Sequence, residues 1–280
     1  MTPDKTDMPA QPILPRAARL PINRCNLPPV ILGGLAFQER PEPLEIDCIR
    51  ALRTDLFEML DALDDPADRA QRFMDYMTVN YRLERPEEVG YDGRNGTDRT
   101  RADYLRTLRG WSFDPDGREG AVMKSWAESR FGLLPRHHQG PLGDFSGENY
   151  GLYLVQRSQG LYGTNALEDQ LDLLYTYCQY ELARRFPGQT HRTLYRGVNR
   201  LEEYEVLARP DKRRAVILLN NINSFTGTRD RATEFGDYIL TVQVPTAKIF
   251  CFDDLLPGRL RGEDEVIVIG GAYKVDVAYY

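Results

Sequence analysis

The chain has 280 residues, 41% of them hydrophobic, which is enough to bury the core of one domain or of two small ones. Its formal net charge of −6 and its isoelectric point of about 5.3 argue against nucleic acid as the main partner. Four scattered cysteines without a Cys-x-x-Cys spacing indicate free thiols in a reducing compartment and no disulfide or zinc framework. These are Cys25, Cys48, Cys178 and Cys251.

The first 19 residues are polar and rich in proline, which predicts a disordered tail that lacks the apolar stretch of a secretory signal. The apolar run at 27–37 is interrupted by prolines and glycines and is too short to cross a bilayer. We therefore expect a single domain over 20–280 that acts in the cytoplasm.

Helical patterns dominate the next part of the chain. Apolar residues at spacings of three and four predict a helix over 49–63. Asp65 followed by Pro66 predicts the start of a second helix, since the first is a good N-cap and the second suits the first helical position. Two further helices are predicted at 101–108 and near 120–130.

The segment 132–163 is rich in glycine and tyrosine and has no clear period, which predicts a loop with short strands. Two adjacent histidines within it, His137 and His138, cannot easily bind one metal ion, so we expect a solvated pair and no metal site. Asn165 with Glu168 predicts a capping box at the start of another helix.

Strand patterns follow from residue 190 onward. We predict a short helix at 229–235 and strands at 192–198, 214–222, 238–244, 247–252, 265–269 and 272–279. A helical half at about 44–186 followed by a β-rich half at about 190–280 makes an α+β fold. The sequence has neither a Gly-x-Gly-x-x-Gly turn nor a phosphate-binding loop, so a bound dinucleotide would not lie on a Rossmann fold.

Two carboxylates lie at the start of one predicted strand, because Glu263 and Glu265 precede the β-branched run at 266–269. In an extended backbone alternate side chains share a face, so these two acids would lie on one face and Asp264 on the other. Acids at the rim of a buried strand can stabilise positive charge and accept protons. Taken alone, however, the pair is more simply explained as two solvated acids in a turn.

Two upstream segments change this interpretation. Arg196 lies near the end of a predicted strand, and Ser224 and Thr226 share one face of an extended segment. Arginine, then serine on a strand, then Glu-x-Glu resembles the arginine–serine–glutamate class of mono-ADP-ribosyltransferases, although that class often has Ser-Thr-Ser at the second position. The resemblance is carried by Tyr195-Arg196-Gly197, Ser224-Phe225-Thr226 and Glu263-Asp264-Glu265.

The similarity extends from about residue 20 to the C-terminus, and it is to the dinitrogenase reductase ADP-ribosyltransferase family of nitrogen-fixing bacteria. Its matching stretches are 20–29, 224–228 and 262–276. The resemblance implies an NAD-binding β-sandwich core and transfer of ADP-ribose from NAD to an arginine of dinitrogenase reductase. It also implies a PII-type nitrogen-signalling protein as activator, and a loop at 253–262 that faces the protein target.

The resemblance further implies roles for individual residues. Glu265 would stabilise the positive charge that develops on the ribose as nicotinamide leaves, and Ser224 would orient Glu265. Arg196 would bind the phosphates of NAD, and the backbone of Gly197 its carboxamide. Glu263 would hold and deprotonate the acceptor arginine, whose pKa is too high for it to be a nucleophile unaided.

Two more residues are expected near NAD. Thr226 would support the strand that carries the serine, and Phe235 is a candidate for stacking on nicotinamide, although a core position at the end of a helix is an equally good explanation. Two alternatives stay open. One is an NAD glycohydrolase, which Glu263 argues against. The other is a non-catalytic NAD-sensing module, which the combination of Arg196, Ser224 and both glutamates argues against.

Overall fold

The computed structural model of the protein describes residues 12–84, 101–258 and 264–279. Helices come first and antiparallel strands follow, so the predicted α+β class is confirmed. The helices are α1 (Pro29–Leu32), α2 (Leu35–Glu39), α3 (Ile49–Leu52), α4 (Thr54–Asp61), α5 (Pro66–Tyr81), α6 (Tyr104–Phe113), α7 (Arg118–Phe131), α8 (Glu148–Gly160), α9 (Ala166–Arg185) and α10 (Arg229–Ala232).

The first predicted helix is divided in two. α3 and α4 are separated at Arg53, whose backbone leaves the helical region and whose guanidinium donates to the Asp169 carboxylate at 2.9 Å. The start of α5 is as predicted. Asp65 is its N-cap, accepts from the Ala67 N–H at 2.8 Å and is followed by Pro66 in the first turn.

Two predictions in the middle of the chain are wrong. The expected loop at 132–163 contains α8, in which only Tyr153 and Gly160 are buried. Because so few of its residues are buried, α8 has no apolar stripe from which the sequence could predict a helix. Asn165 has a nearly helical backbone and makes no side-chain cap, so the capping box does not form. The hydroxyl of Thr164 instead accepts from the Ala166 N–H at 3.1 Å.

The strands form one antiparallel sheet within the described residues. β3 pairs with β2, β1 and β6, and β4 joins β1 to β6, while β5 pairs with β6. The sheet therefore closes on itself through β3, β1, β4 and β6. The strands are β1 (His191–Val198), β2 (Glu205–Ala208), β3 (Arg214–Thr226), β4 (Tyr238–Pro245), β5 (Ile249–Phe252) and β6 (Glu265–Tyr279).

The two predicted strands at 265–269 and 272–279 are one continuous strand, β6. Its pairing with β3 is irregular between the pairs Leu219–Gly271 and Ile222–Ile269, and Gly271 has a φ of 119° that disfavours other residues. A Cβ at Gly270 would lie 1.6 Å from the Asn220 carbonyl oxygen. The glycines thus allow an irregular pairing and a close backbone approach within a strand, where the sequence suggested a strand end.

The hydrophobic core is shared by the helices and the sheet. Trp126 of α7 packs edge-on against Phe250 of β5, with ring centroids 4.7 Å apart. Leu14 and Ala18 are buried in the same core, so part of the segment expected to be a disordered tail packs on the domain. Residues 1–11 of that tail lie outside the described residues. None of the helices in the described ranges has both the length and the hydrophobicity needed to span a bilayer.

Lys248 is a buried lysine, and its burial predicts that the stability of the protein depends on pH. Its ammonium donates to the Gly270 carbonyl at 2.7 Å and lies 4.7 Å from the centre of the Tyr273 ring. Burial lowers the pKa of Lys248 to about 7, from an ordinary value of 10.5. Between these two pH values the folded protein binds fewer protons than the unfolded chain. The stability that Lys248 contributes is therefore highest above pH 10.5 and is lost as the pH falls towards 7.

We expect the free energy of unfolding of the wild type to rise, relative to that of Lys248→Met, between pH 7 and about pH 9.5. Urea denaturation at several pH values measures this difference. Exposed Lys212 gives the control, since Lys212→Met should follow the wild-type pH profile. Parallel profiles for the wild type and Lys248→Met would contradict the prediction.

Candidate active site

A cleft of about 420 Å³ opens where several elements meet, and it contains most of the residues singled out in the sequence. Its size lies in the range typical of small-molecule sites. The end of β1, the end of β3, the start of β6, the end of α6 and the helical segment after β3 all contribute to it. Its lining residues are Trp111, Ser112, Pro115, Arg196, Gly197, Val198, Asn199, Glu203, Tyr204, Ser224, Phe225, Thr226, Ala232, Phe235 and Glu265.

Strand register brings Ser224 and Glu265 together. Thr226 of β3 pairs with Glu265 of β6 and Ser224 pairs with Ile267, so Ser224 and Glu265 are diagonal neighbours on one face. The serine hydroxyl donates to Glu265 Oε1 at 2.5 Å. Both residues are half-buried at the cleft. Such a bond fixes the carboxylate while leaving the cleft open to a ligand.

Arg196 is held beside this pair by two hydrogen bonds. Its Nη1 donates to the Ser224 carbonyl at 2.5 Å, and its Nε donates to the Tyr204 hydroxyl at 2.9 Å. The strand pairing of Tyr195 with Thr226 brings β1 next to β3 at this point. Nη2 makes no hydrogen bond within the described residues, which leaves part of the guanidinium fork for an anion in the cleft.

Gly197 is required by packing against the helix after β3. A Cβ at this position would lie 2.0 Å from the Ala232 carbonyl oxygen, so any other residue would displace α10. Phe235 lies near the same helix with 52% of its surface exposed, and the Arg231 guanidinium carbon is 5.8 Å from its ring centre. The structure thus places Phe235 on the cleft wall and outside the core, and its stacking on nicotinamide stays a prediction.

Thr226 supports the turn that precedes β6. Its hydroxyl donates to Asp264 Oδ2 at 3.2 Å and accepts from the Thr228 N–H at 3.3 Å. Asp264 has a φ of 53°, so the backbone is not extended there and β6 begins only at Glu265. The alternation argument used for the two glutamates therefore does not hold across Asp264. Glu263 itself lies outside the described residues.

Negative charge is concentrated at the start of β6. Burial, and then the carboxylates of Asp264, Asp254 and Glu265, raise the pKa of the Asp253 carboxyl. Burial, with a further contribution from Glu265, also raises the pKa of the Cys251 thiol, so this cysteine is an unreactive core residue. A site with this field favours a cationic group over a neutral one.

The expectation that the loop at 253–262 faces a protein target is wrong for its apolar residues. Residues Asp253–Leu255 form a short 3₁₀ helix, and the side chains of Leu255 and Leu256 are fully buried. They anchor the segment to the core. Arg259 and Arg261, which were expected on the same surface, lie outside the described residues.

Sequence reasoning missed two residues of the cleft, both from α6. The Trp111 indole N–H lies 3.1 Å from both Glu265 Oε1 and Ser224 Oγ, and the Ser112 hydroxyl donates to Glu265 Oε2 at 2.5 Å. The predicted helix ended at residue 108, whereas α6 continues to Phe113. The buried residues Tyr104, Leu108 and Trp111 follow one another at helical spacing, so the periodicity of the sequence could have predicted that the helix extends to Trp111.

The adjacent histidines are not a solvated pair, because His138 is fully buried while His137 is exposed. His138 Nδ1 lies 3.0 Å from the Lys124 ammonium, and Lys124 donates to Asp116 at 2.6 Å. Burial and the neighbouring ammonium lower the pKa of His138. In the described part of the chain, no three His, Cys, Asp or Glu side chains come close enough together to hold a metal ion.

A larger cleft of about 820 Å³ lies elsewhere, beside α3, α4 and α9. Its lining includes none of the residues that the sequence singled out as functional. The smaller cleft is therefore the better candidate for an active site, because charged and polar groups converge on it.

An arginine on one strand, a serine on a second and a glutamate at the start of a third meet in this cleft. This is the set of residues expected of the arginine–serine–glutamate class of mono-ADP-ribosyltransferases. The chain belongs to the dinitrogenase reductase ADP-ribosyltransferase family, whose family model matches residues 22–277. The NAD(+)–dinitrogen-reductase ADP-D-ribosyltransferase of Rhodospirillum rubrum is 38% identical over 260 residues, which cover 92% of this chain and 94% of that relative. No solved structure matches the chain significantly.

Proposed function

We propose that this protein transfers ADP-ribose from NAD to an arginine side chain of dinitrogenase reductase, with release of nicotinamide, and that this modification switches off nitrogen fixation. Family membership and the name of the similar Rhodospirillum rubrum protein support NAD as the donor and dinitrogenase reductase as the target. The observation that carries the proposal is the hydrogen bond that holds Glu265 beside Ser224 and Arg196 in one cleft.

The reaction breaks the bond between the ribose and nicotinamide, which leaves with the bonding electron pair, and forms a bond from the ribose to a guanidinium nitrogen. The leaving group of NAD is already cationic, so no acid is needed to protonate it. Glu265 supplies a fixed negative charge next to the carbon that becomes positive. Its hydrogen bond from Ser224 fixes the carboxylate before the substrate arrives, so little reorganisation is needed during the reaction.

Arg196 would bind the diphosphate of NAD with its remaining donors, since a planar guanidinium suits phosphate oxygens. Its bond to the Ser224 carbonyl also links phosphate binding to the strand that orients Glu265. Thr226 holds the Asp264 turn, which fixes where β6 begins. Phe235, half exposed on the cleft wall, would stack on the nicotinamide ring.

The arginine acceptor is a finer part of this proposal and depends on Glu263. In the class that the chain resembles, a glutamate two residues before the catalytic glutamate accompanies arginine acceptors. A carboxylate there would hold the guanidinium and accept the proton that it loses as its nitrogen attacks. The negative charge around Asp253, Asp264 and Glu265 supports a cationic acceptor.

The family resemblance supports two further parts of the proposal. A PII-type nitrogen-signalling protein would activate the enzyme, and the reaction would take place in the cytoplasm. Adding a purified PII-type protein to the transfer assay tests the first part. An unchanged rate over a range of concentrations and effector nucleotides would contradict it.

The proposal as a whole is tested with purified proteins and labelled NAD. We expect a labelled band at the size of dinitrogenase reductase, and fragmentation mass spectrometry should locate the ADP-ribose on an arginine. Nicotinamide release without labelling of any protein would instead show an NAD glycohydrolase. Absence of both products with bound NAD would indicate a non-catalytic sensor.

Arg196→Lys is expected to weaken NAD binding at least about tenfold. An ammonium cannot reach the Ser224 carbonyl, the Tyr204 hydroxyl and a phosphate together, as the guanidinium fork can. Calorimetric titration with NAD measures the change. Arg192→Lys is the matched control on the same strand, because the Arg192 guanidinium stacks on Phe186, outside the cleft. Equal affinities for both variants would mean that Arg196 is structural.

A further inference from the structure

The last turn of α6 contacts the reacting end of the cleft. The Trp111 indole N–H points at both Ser224 Oγ and Glu265 Oε1, each 3.1 Å away. The serine hydroxyl in turn donates to the same carboxylate oxygen at 2.5 Å. Trp111 is only 2% exposed, so water cannot easily replace its N–H. Three groups therefore share one partly buried hydrogen-bonded triangle.

The chemistry of the three groups fixes the direction of every bond in the triangle. An indole N–H can only donate and an ionised carboxylate can only accept. The Ser224 hydroxyl must therefore accept from Trp111 and direct its own proton to Glu265. Without the indole, Ser224 Oγ and Glu265 Oε1 would each have one donor fewer.

The rest of α6 is fixed in a way that defines the position of the indole. Gln170 of α9, which is buried, accepts from the Tyr104 N–H at 2.9 Å and donates to the Ala102 carbonyl at 2.9 Å. Gly110 lies so close to α7 that a Cβ there would be 2.5 Å from Glu119 Cβ. The helix is thus held at its first turn by α9 and near its last turn by α7.

We infer that Trp111 is a positioning residue, which acts through Glu265 and Ser224 by holding them in the arrangement needed to cleave NAD. The inference depends on the proposed function, because it assigns a task to Trp111 only if Glu265 stabilises the ribose cation. It also gives the helical half of the chain a direct part in the reaction, through α6.

Trp111→Phe tests the inference, because it removes the N–H and keeps a large aromatic ring in the core. We expect kcat for nicotinamide release to fall about tenfold to a hundredfold, with KM for NAD changed less than about threefold. The reason is that the Glu265 carboxylate keeps its charge but is held in place by one donor fewer. Combination with Ser224→Ala should cost less than the product of the two single losses, because both act on Oε1.

A control variant separates positioning from general stability. Trp126→Phe removes the other indole N–H, which donates to Asp172 Oδ1 at 2.7 Å in the buried helical core. It should lower the melting temperature at least as much as Trp111→Phe, with a much smaller loss in kcat.

Glu265→Gln is measured in parallel to tell two failures apart. If Glu265→Gln is inactive and Trp111→Phe keeps its full kcat, the inference is wrong and the proposed function stands. If Trp111→Phe and Trp126→Phe lose kcat in proportion to their loss of melting temperature, Trp111 has only a structural role. If Glu265→Gln keeps its activity, the proposed function itself fails.

Discussion

Glu265→Gln is expected to lower both ADP-ribose transfer and nicotinamide release by at least about a hundredfold, while NAD affinity changes little. The substitution keeps the shape of the side chain and removes its negative charge. The Glu265 carboxylate lies at the start of β6 and accepts hydrogen bonds from Ser224, Trp111 and Ser112. Ser224 and Trp111 can still donate to the amide oxygen, and the Ser112 hydroxyl can accept from the amide NH2, so the variant should fold and bind NAD.

Single-turnover kinetics with labelled NAD measures the chemical step, and calorimetry measures NAD affinity. Glu205→Gln is the matched control, since Glu205 lies on β2 and pairs with Arg136 on the surface, outside the cleft. It should react at the wild-type rate. Near-normal nicotinamide release by Glu265→Gln would remove Glu265 from the chemistry and with it the main support for the proposed mechanism.

β3 and β6 could be predicted in part because each contains an apolar run, at 215–219 and at 266–269, with polar residues beyond one end. Ser224 and Glu265 were found through this pattern together with a family resemblance, and neither source alone was sufficient. Their direct hydrogen bond, in contrast, depends on the register between β3 and β6. That register spans 41 positions along the chain and cannot be derived from local preferences.

Other features were not predictable from local patterns, for identifiable reasons. A pair of glycines normally indicates the end of a strand, whereas Gly270 and Gly271 lie inside β6. The backbone of Asn220 closely approaches Gly270, and that of Gly33 approaches Gly271. From the sequence alone, Trp111 is predicted to be an ordinary apolar residue of the core. Its N–H gains a function only because α9 and α7 hold α6 against the cleft.

Glu263→Gln is expected to separate the two halves of the reaction. We expect transfer to arginine to fall at least about a hundredfold, because an amide cannot accept the proton of the guanidinium. Nicotinamide release to water should continue at a slow rate, since Glu265 and its donors are unchanged. The expectation comes from the Glu-x-Glu sequence, because Glu263 lies outside the described residues.

The most direct measurement follows both products in one reaction, with nicotinamide as the measure of cleavage and labelled protein as the measure of transfer. In the wild type the two should be nearly equal, and in Glu263→Gln nicotinamide should exceed labelled protein many times over. Glu205→Gln is again the control, because Glu205 pairs with Arg136 on the surface, outside the cleft. Equal loss of both products in Glu263→Gln would place Glu263 in the NAD-cleaving machinery. Full transfer by that variant would show that the acceptor is not selected through Glu263, and the arginine assignment would lose its support.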